Sequence, residues 1–303
     1  MVATIAVGQF PIDLAVSPSG AHVYVANSDG TVSIIDSATN TVIASPTIKA
    51  SDFLGGVAVR PDGTAAYVTD GSLNTLSFIQ AATNAVSATI PFGSSPGRIA
   101  FSPRGDQLYI FNENSCTLDI LAAANTGLLA AFQVDHATAG PGDVAVSPDS
   151  RRVYVVSNFS NVCMVVDAVS RSFVKTLNVE RPTGVAVSQD SARVFISHQL
   201  LNTHPAHTIS VIDTTTWAVI KLLDVGNGPA GMAVSPDGSR LYVTNCDDNT
   251  LSVVDSRSLT VVNTVPVGET PVRVAVSPDG VRVYVANKFD FNVSVLDAAS
   301  IAG

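Results

Sequence analysis

One short pattern recurs seven times along the chain and constrains its fold more than any other feature. An apolar-Ala-apolar triplet followed by a polar residue and proline, first seen as Leu14-Ala15-Val16-Ser17-Pro18, returns with small variations ending at Pro61, Pro103, Pro148, Gln189, Pro236 and Pro278. The spacings are 43, 42, 45, 41, 47 and 42 residues. Six residues after each anchor stands an aromatic: Tyr24, Tyr67, Tyr109, Tyr154, Phe195, Tyr242 and Tyr284. Repeats of this length arise when one small unit cannot bury its apolar face alone and stacks on copies of itself.

Each repeat reads as four short strands, most clearly in the sixth. Residues 231–235 are a first apolar run, and Pro236-Asp237-Gly238-Ser239 is a tight turn in which proline presets φ and glycine takes a positive one. Residues 240–244 form the second strand, 250–255 the alternating third and 259–267 the fourth. Val, Ile, Thr and Tyr fill these runs, as pleated surfaces prefer. No segment carries a helical period of useful length. Four-stranded units of about 40–45 residues predict an all-β, seven-bladed β-propeller with four antiparallel strands per blade. The seventh repeat ends at Asp297 without a fourth strand. Residues 2–7 resemble residues 262–267 of the sixth repeat and are expected to complete the last blade, which removes a free sheet edge. Residues 1–303 are read as one domain.

Composition narrows the function classes. The 303 residues are 46% hydrophobic and 14% charged, with a mean hydropathy of +0.34, which excludes disorder. Gly, Pro, Asp, Asn or Ser interrupts every apolar run before the ~18 residues of a membrane helix, so no membrane insertion is expected. A net charge of −9 argues against a nucleic-acid partner, because phosphate backbones select a basic field. Cys116, Cys163 and Cys246 form no disulfide framework. The N-terminus has neither a basic leader nor a long apolar core. Cytoplasmic location is the default expectation, with secretion or the cell surface as the alternative if a leader has been removed. No nucleophile elbow, P-loop, dinucleotide fingerprint or Cys-x-x-Cys pair occurs, so no cofactor is required.

Tyr242-Val243-Thr244-Asn245 spells a family signature, with close variants in Tyr24-Val25-Ala26-Asn27, Tyr67-Val68-Thr69-Asp70 and Tyr284-Val285-Ala286-Asn287. Over essentially its whole length the chain resembles the YVTN-repeat β-propellers. The resemblance implies the propeller fold. It also implies a range of roles on such scaffolds: surface-layer-like proteins, lactonase-like hydrolases and lyases. The repeat residues themselves are read as scaffold.

Function is sought where the repeat is broken. Loops after the second and fourth strands of each blade fall on one face, here called the top, around the mouth of the central channel. The step from the signature's last residue to the third strand is four or five residues in six blades and ten in blade five. The inserted run is His198-Gln199-Leu200-Leu201-Asn202-Thr203-His204-Pro205-Ala206-His207, with three of the five histidines of the chain. A fourth, His136, lies in the lengthened crossing 134–141 from blade three to blade four, and residues 49–54 form a third irregular crossing. Blade six adds Asn245, Cys246, Asp247 and Asp248. Neutral imidazole both ligates metals and abstracts protons. His198 and His204 are therefore candidate catalytic bases. His198, His204 and His207 are candidate ligands of a divalent metal, although their spacing matches no helical zinc motif. His136, His207, Asn245, Cys246 and Asp247 are candidate ligand-binding residues. The plainer alternative is a polar surface insertion, with His198 a hydrogen-bonded strand-end residue.

The residue before each apolar-Ala-apolar core forms a ring at the channel mouth: Asp13, Gly56, Arg98, Asp143, Gly184, Gly231 and Arg273. Guanidinium groups suit carboxylates and phosphates, so Arg98, Asp143 and Arg273 join the ligand-binding candidates. The alternative is two salt bridges, Asp13–Arg273 and Arg98–Asp143, with the mouth open on the Gly184–Gly231 side. Trp217 is read as packing. The expected function is a monomeric binding propeller that holds a small molecule, peptide or protein loop on the top face near blades four to six. A lyase or lactonase-like hydrolase with a histidine base, and a structural surface-layer-type repeat, are the alternatives.

Overall fold

A computed structural model describes residues 1–48, 53–134, 142–198 and 207–303. Among these residues there are 28 strands in seven four-stranded antiparallel sheets, the blades of a propeller. Blades one to six span residues 11–44, 54–91, 96–133, 142–178, 182–224 and 229–266. Blade seven combines residues 271–297 with Ala3–Ala6, whose partner is Asn292–Asp297 in the register Ala3↔Val295 and Ile5↔Val293. The one helical element described is a single turn, Ala298–Ile301. The sequence pattern does not signal it. Asp297 caps it by accepting from the Ser300 N–H at 3.0 Å, and Ala298 and Ile301 pack on the seam between blades six and seven.

The core is a set of wedges between neighbouring blades, not one central mass. Tyr109 and Phe111 of blade three pack with Val144, Val153 and Val155 of blade four. Tyr154 and Val156 of blade four pack with Val185, Val194 and Ile196 of blade five. Tyr284 and Ala286 of blade seven pack with Leu14, Val23 and Val25 of blade one, which closes the ring. Each second strand is covered on both faces, so its residues are apolar without alternation, while outer strands such as Thr260–Pro266 keep exposed positions. The Ser-Pro-Asp-Gly turn explains itself in blade six. The Gly238 N–H donates to the Ser235 carbonyl at 2.8 Å with φ +71°, and Ser235 Oγ accepts from the Arg240 N–H at 2.9 Å.

The anchor tyrosines differ in one respect. Tyr109 donates to Gln107 Oε1 at 2.7 Å, whereas the buried hydroxyls of Tyr24 and Tyr154 have no hydrogen-bond partner among the described residues. Tyr154→Phe is expected to leave stability unchanged or slightly raised. Tyr109→Phe, which strands the Gln107 carbonyl oxygen, should cost about 1 kcal/mol. Urea midpoints of the two variants against the parent check the contrast.

Candidate functional site at the channel mouth

The seven innermost strands turn their unpaired edges toward the channel, and those backbone groups need partners. Asp13 and Asp143 meet the need in the same way, three blades apart. Asp13 accepts from its own neighbour's Leu14 N–H at 3.0 Å and from the Val57 N–H of the next blade at 3.0 Å. Asp143 accepts from Val144 at 3.0 Å and from Val185 of the next blade at 3.1 Å. Both carboxylates are buried, which demands counter-charge.

Arg273 supplies most of it. Its Nη2 lies 2.6 Å from Asp143 Oδ1 and its Nη1 2.8 Å from Asp143 Oδ2, while its Nε lies 3.2 Å from Asp13 Oδ1. Burial alone pushes the Asp143 carboxyl up, but Arg273 more than cancels this and holds it below the usual range. The expected Asp13–Arg273 pair is present. The expected Arg98–Asp143 pair is not, since Arg98 pairs with Asp13 at 3.4 Å instead. Asp143 is claimed by Arg273 from across the channel. The reason lies in the glycines. A Cβ on Gly231 would fall 2.7 Å from the Arg273 Cα and 3.3 Å from its Cδ, and one on Gly184 would fall 2.3 Å from the Ala230 carbonyl. The glycines at 184 and 231 therefore mark close approach of adjacent inner strands, under the reach of Arg273, and not an open side of the mouth.

Arg98 is the less satisfied cation. Its Nη1 donates to the Ile12 and Gly55 carbonyls at 3.2 and 3.3 Å, and neither Nε nor Nη2 makes a hydrogen bond among the described residues. Its side chain is 22% exposed, against 13% for Arg273. Burial and the nearby Arg273 charge lower its affinity for a proton. Glu113, which sequence reasoning missed, lies against Gly97 on the adjoining strand: a Cβ there would fall 2.5 Å from Glu113 Oε1. Burial pushes the Glu113 carboxyl up, with Arg98 pulling the other way. The signal was readable, because Glu113 holds the position after the signature where other blades carry Ser28, Gly71, Asn158, Gln199, Cys246 and Lys288.

These distances rest on a shared architecture. A YNCE-like beta-propeller family description matches residues 2–302. The chain belongs to the YNCE-like β-propeller family. The solved Kuenenia stuttgartiensis hydrazine synthase is similar in fold, with a TM-score of 0.85 and 22% identity over 96% of each chain. No curated protein matches the chain.

In this YNCE-like propeller the other candidates are distributed as follows. His198 Nδ1 donates to the Glu180 carbonyl at 2.8 Å, and its Nε2 lies 2.7 Å from Ser210 Oγ. It thereby copies the asparagines at the same position: Asn245 donates to Thr250 and Ser252, and Asn287 to Asn292 and Ser294. His207 Nε2 lies 3.6 Å from Asp224 Oδ1, and His207 is close enough to Asp248 to help lower its carboxyl, a shift led by the bond from the Asn227 N–H. His136 and His204 lie outside the described residues. The Cys246 thiol donates to the Pro271 carbonyl at 2.9 Å, as Asn158 does to Pro182 at 3.2 Å. Burial, helped by Asp247, pushes that thiol up to about 12. Asp247 packs against Gly228, where a Cβ would fall 2.7 Å from its Oδ2. Among the described residues no three His, Cys, Asp or Glu side chains are grouped as metal ligands.

Two contrasts follow. His198→Asn should retain stability, while His198→Ala should cost about 1–3 kcal/mol by removing the contacts to the Glu180 carbonyl and Ser210 Oγ from a buried position. Arg273→Met leaves two buried carboxylates without their main partner and should cost about 3–5 kcal/mol. Arg98→Gln should fold, since Asp13 keeps Arg273. Chemical denaturation of the four variants tests both.

Proposed function

We propose that the protein is a ligand-binding propeller whose channel mouth receives the anionic group of a small molecule at Arg98. The observation that carries this reading is the unequal use of the two arginines. Arg273 is committed to Asp13 and Asp143, whereas Arg98 keeps Nε and Nη2 free of hydrogen bonds among the described residues. A guanidinium edge of that kind accepts a carboxylate or phosphate through two parallel bonds. A binding role is favoured over one that uses His198 as a base because that residue is buried, with Nδ1 held by the Glu180 carbonyl and Nε2 turned to Ser210 Oγ of the neighbouring strand.

Glu113 couples the site to pH. Its carboxyl sits above the usual range because it is buried. As pH falls through that raised value, Glu113 takes up a proton and its competing negative charge beside Arg98 disappears. Anion affinity should therefore rise as pH falls. Calorimetric titration with sulfate, methanesulfonate and benzenesulfonate, which stay ionised throughout, at about pH 5 and about pH 8 tests this. At least one anion should bind saturably and more tightly at the lower pH. Arg98→Gln should weaken it by about tenfold or more, and Glu113→Gln should flatten the pH dependence. Absence of binding by all three anions, or equal binding by Arg98→Gln, would sink the reading.

A further inference from the structure

The seam between blades four and five differs from its neighbour in a way the channel-mouth site does not explain. In blade five the outer-strand residue Lys221 stands opposite Val211, and its Nζ donates to the Leu259 carbonyl of blade six at 2.6 Å. That bond laces the two blades together at their outer margin. In blade four Lys175 holds the same position, opposite Val165. Lys175 is exposed and makes no hydrogen bond or ion pair among the described residues. The counterpart of Leu259 across this seam is Trp217. Both residues follow the aspartate that ends the third strand by four positions, and both N–H groups bond back to that aspartate's carbonyl.

Where the lacing is missing there is a cavity of about 790 Å³, whose apolar wall is Ile212, Trp217, Val219 and Leu222; Lys175 and Glu180 both line it, as do His198 and Ser210. Its volume lies in the range of about 300–1,000 Å³ usual for small-molecule sites. Trp217, the one tryptophan of the chain, sits at φ +61°, a left-handed position that blades one to four fill with Asn40, Asn84, Thr126 and Arg171 at +54°, +53°, +56° and +51°. Asparagine tolerates that conformation best, and the other residues carry some strain. Leu259 shares the strain but is buried in the next seam, which compensates it. Trp217 is only half-buried, 6.5 Å from the Tyr154 ring, and presents its indole to the cavity. The ring packs on the core of this seam beside Tyr154 and also lines the cavity, so a flat apolar wall for a ligand is already in place.

We propose that this seam is a second binding site, for a small aromatic acid. The ring system would lie against Trp217, Val219 and Leu222, and the acid group would meet the Lys175 ammonium, the cation its counterpart Lys221 cannot offer. The inference is independent of the channel-mouth reading. Trp217 makes it directly testable, because all tryptophan fluorescence comes from the site. The probes are 1-anilinonaphthalene-8-sulfonate, an aromatic monoanion, and its neutral relative N-phenyl-1-naphthylamine. The expected result is one saturable site per chain, with probe emission sensitised by exciting Trp217. Lys175→Gln should weaken the anionic probe by about fivefold and leave the neutral one within about twofold. Trp217→Asn, which relieves the backbone strain, should weaken both by about tenfold under direct excitation. An unchanged thermal midpoint would show that the variant is folded; if it does not fold, Lys175→Gln decides. The proposal is overturned if the anionic probe does not bind saturably, binds without transfer from Trp217, or binds Lys175→Gln as tightly as the parent.

Discussion

Seven sheet edges converge on one axis, and everything at the channel mouth follows from having to satisfy them. An inner strand has a neighbour on one side only, so its remaining N–H and C=O groups face the channel. Two aspartates serve the N–H groups of four blades, and an arginine serves the carbonyls of two. Each of these side chains is itself charged and nearly dry, so each must be paired. Structural need thus concentrates charge where a ligand would arrive. Arg98 is the cation of that arrangement with hydrogen-bonding capacity to spare among the described residues.

The fold was legible in the chain because the same physical problem is solved seven times. A tyrosine that fills an inter-blade wedge, a serine that ties its own turn and an asparagine that reaches the third strand recur at fixed offsets. Even the completion of blade seven was readable, since residues 2–7 copy another blade's outer strand. The members of the mouth ring were equally readable. Their pairing was not, because a partner in the adjacent blade looks nearest along the sequence. Arg273 instead spans two glycine-bearing blades to reach Asp143. Glu113 and Trp217 were harder still. Each stands out only against its counterparts, one a carboxylate where no other blade has one and the other an indole where other blades carry asparagine, threonine, arginine or leucine.

His198 shows the opposite lesson. A histidine in place of the signature's asparagine invites a chemical reading. Its Nε2 nevertheless reaches the third-strand serine that the asparagine amide reaches in other blades, Ser210 in place of Ser252 or Ser294, while the Glu180 carbonyl holds Nδ1. Imidazole is long enough to make both contacts from one strand end, so the irregular loop beyond it begins from an anchored residue.

The strand at residues 3–6 carries a consequence for how the molecule comes into being. It is the first strand of the propeller to be made, and its partner at 292–297 is the last. Six blades can form as neighbouring pieces of chain, each with contacts local to its own repeat. The seventh cannot, because its final pairing spans all six other blades, and such distant contacts form slowly. Until then blade seven waits with a bare apolar margin, the most exposed moment in the birth of the ring, and the last hydrogen bonds to form act as the latch of a clasp.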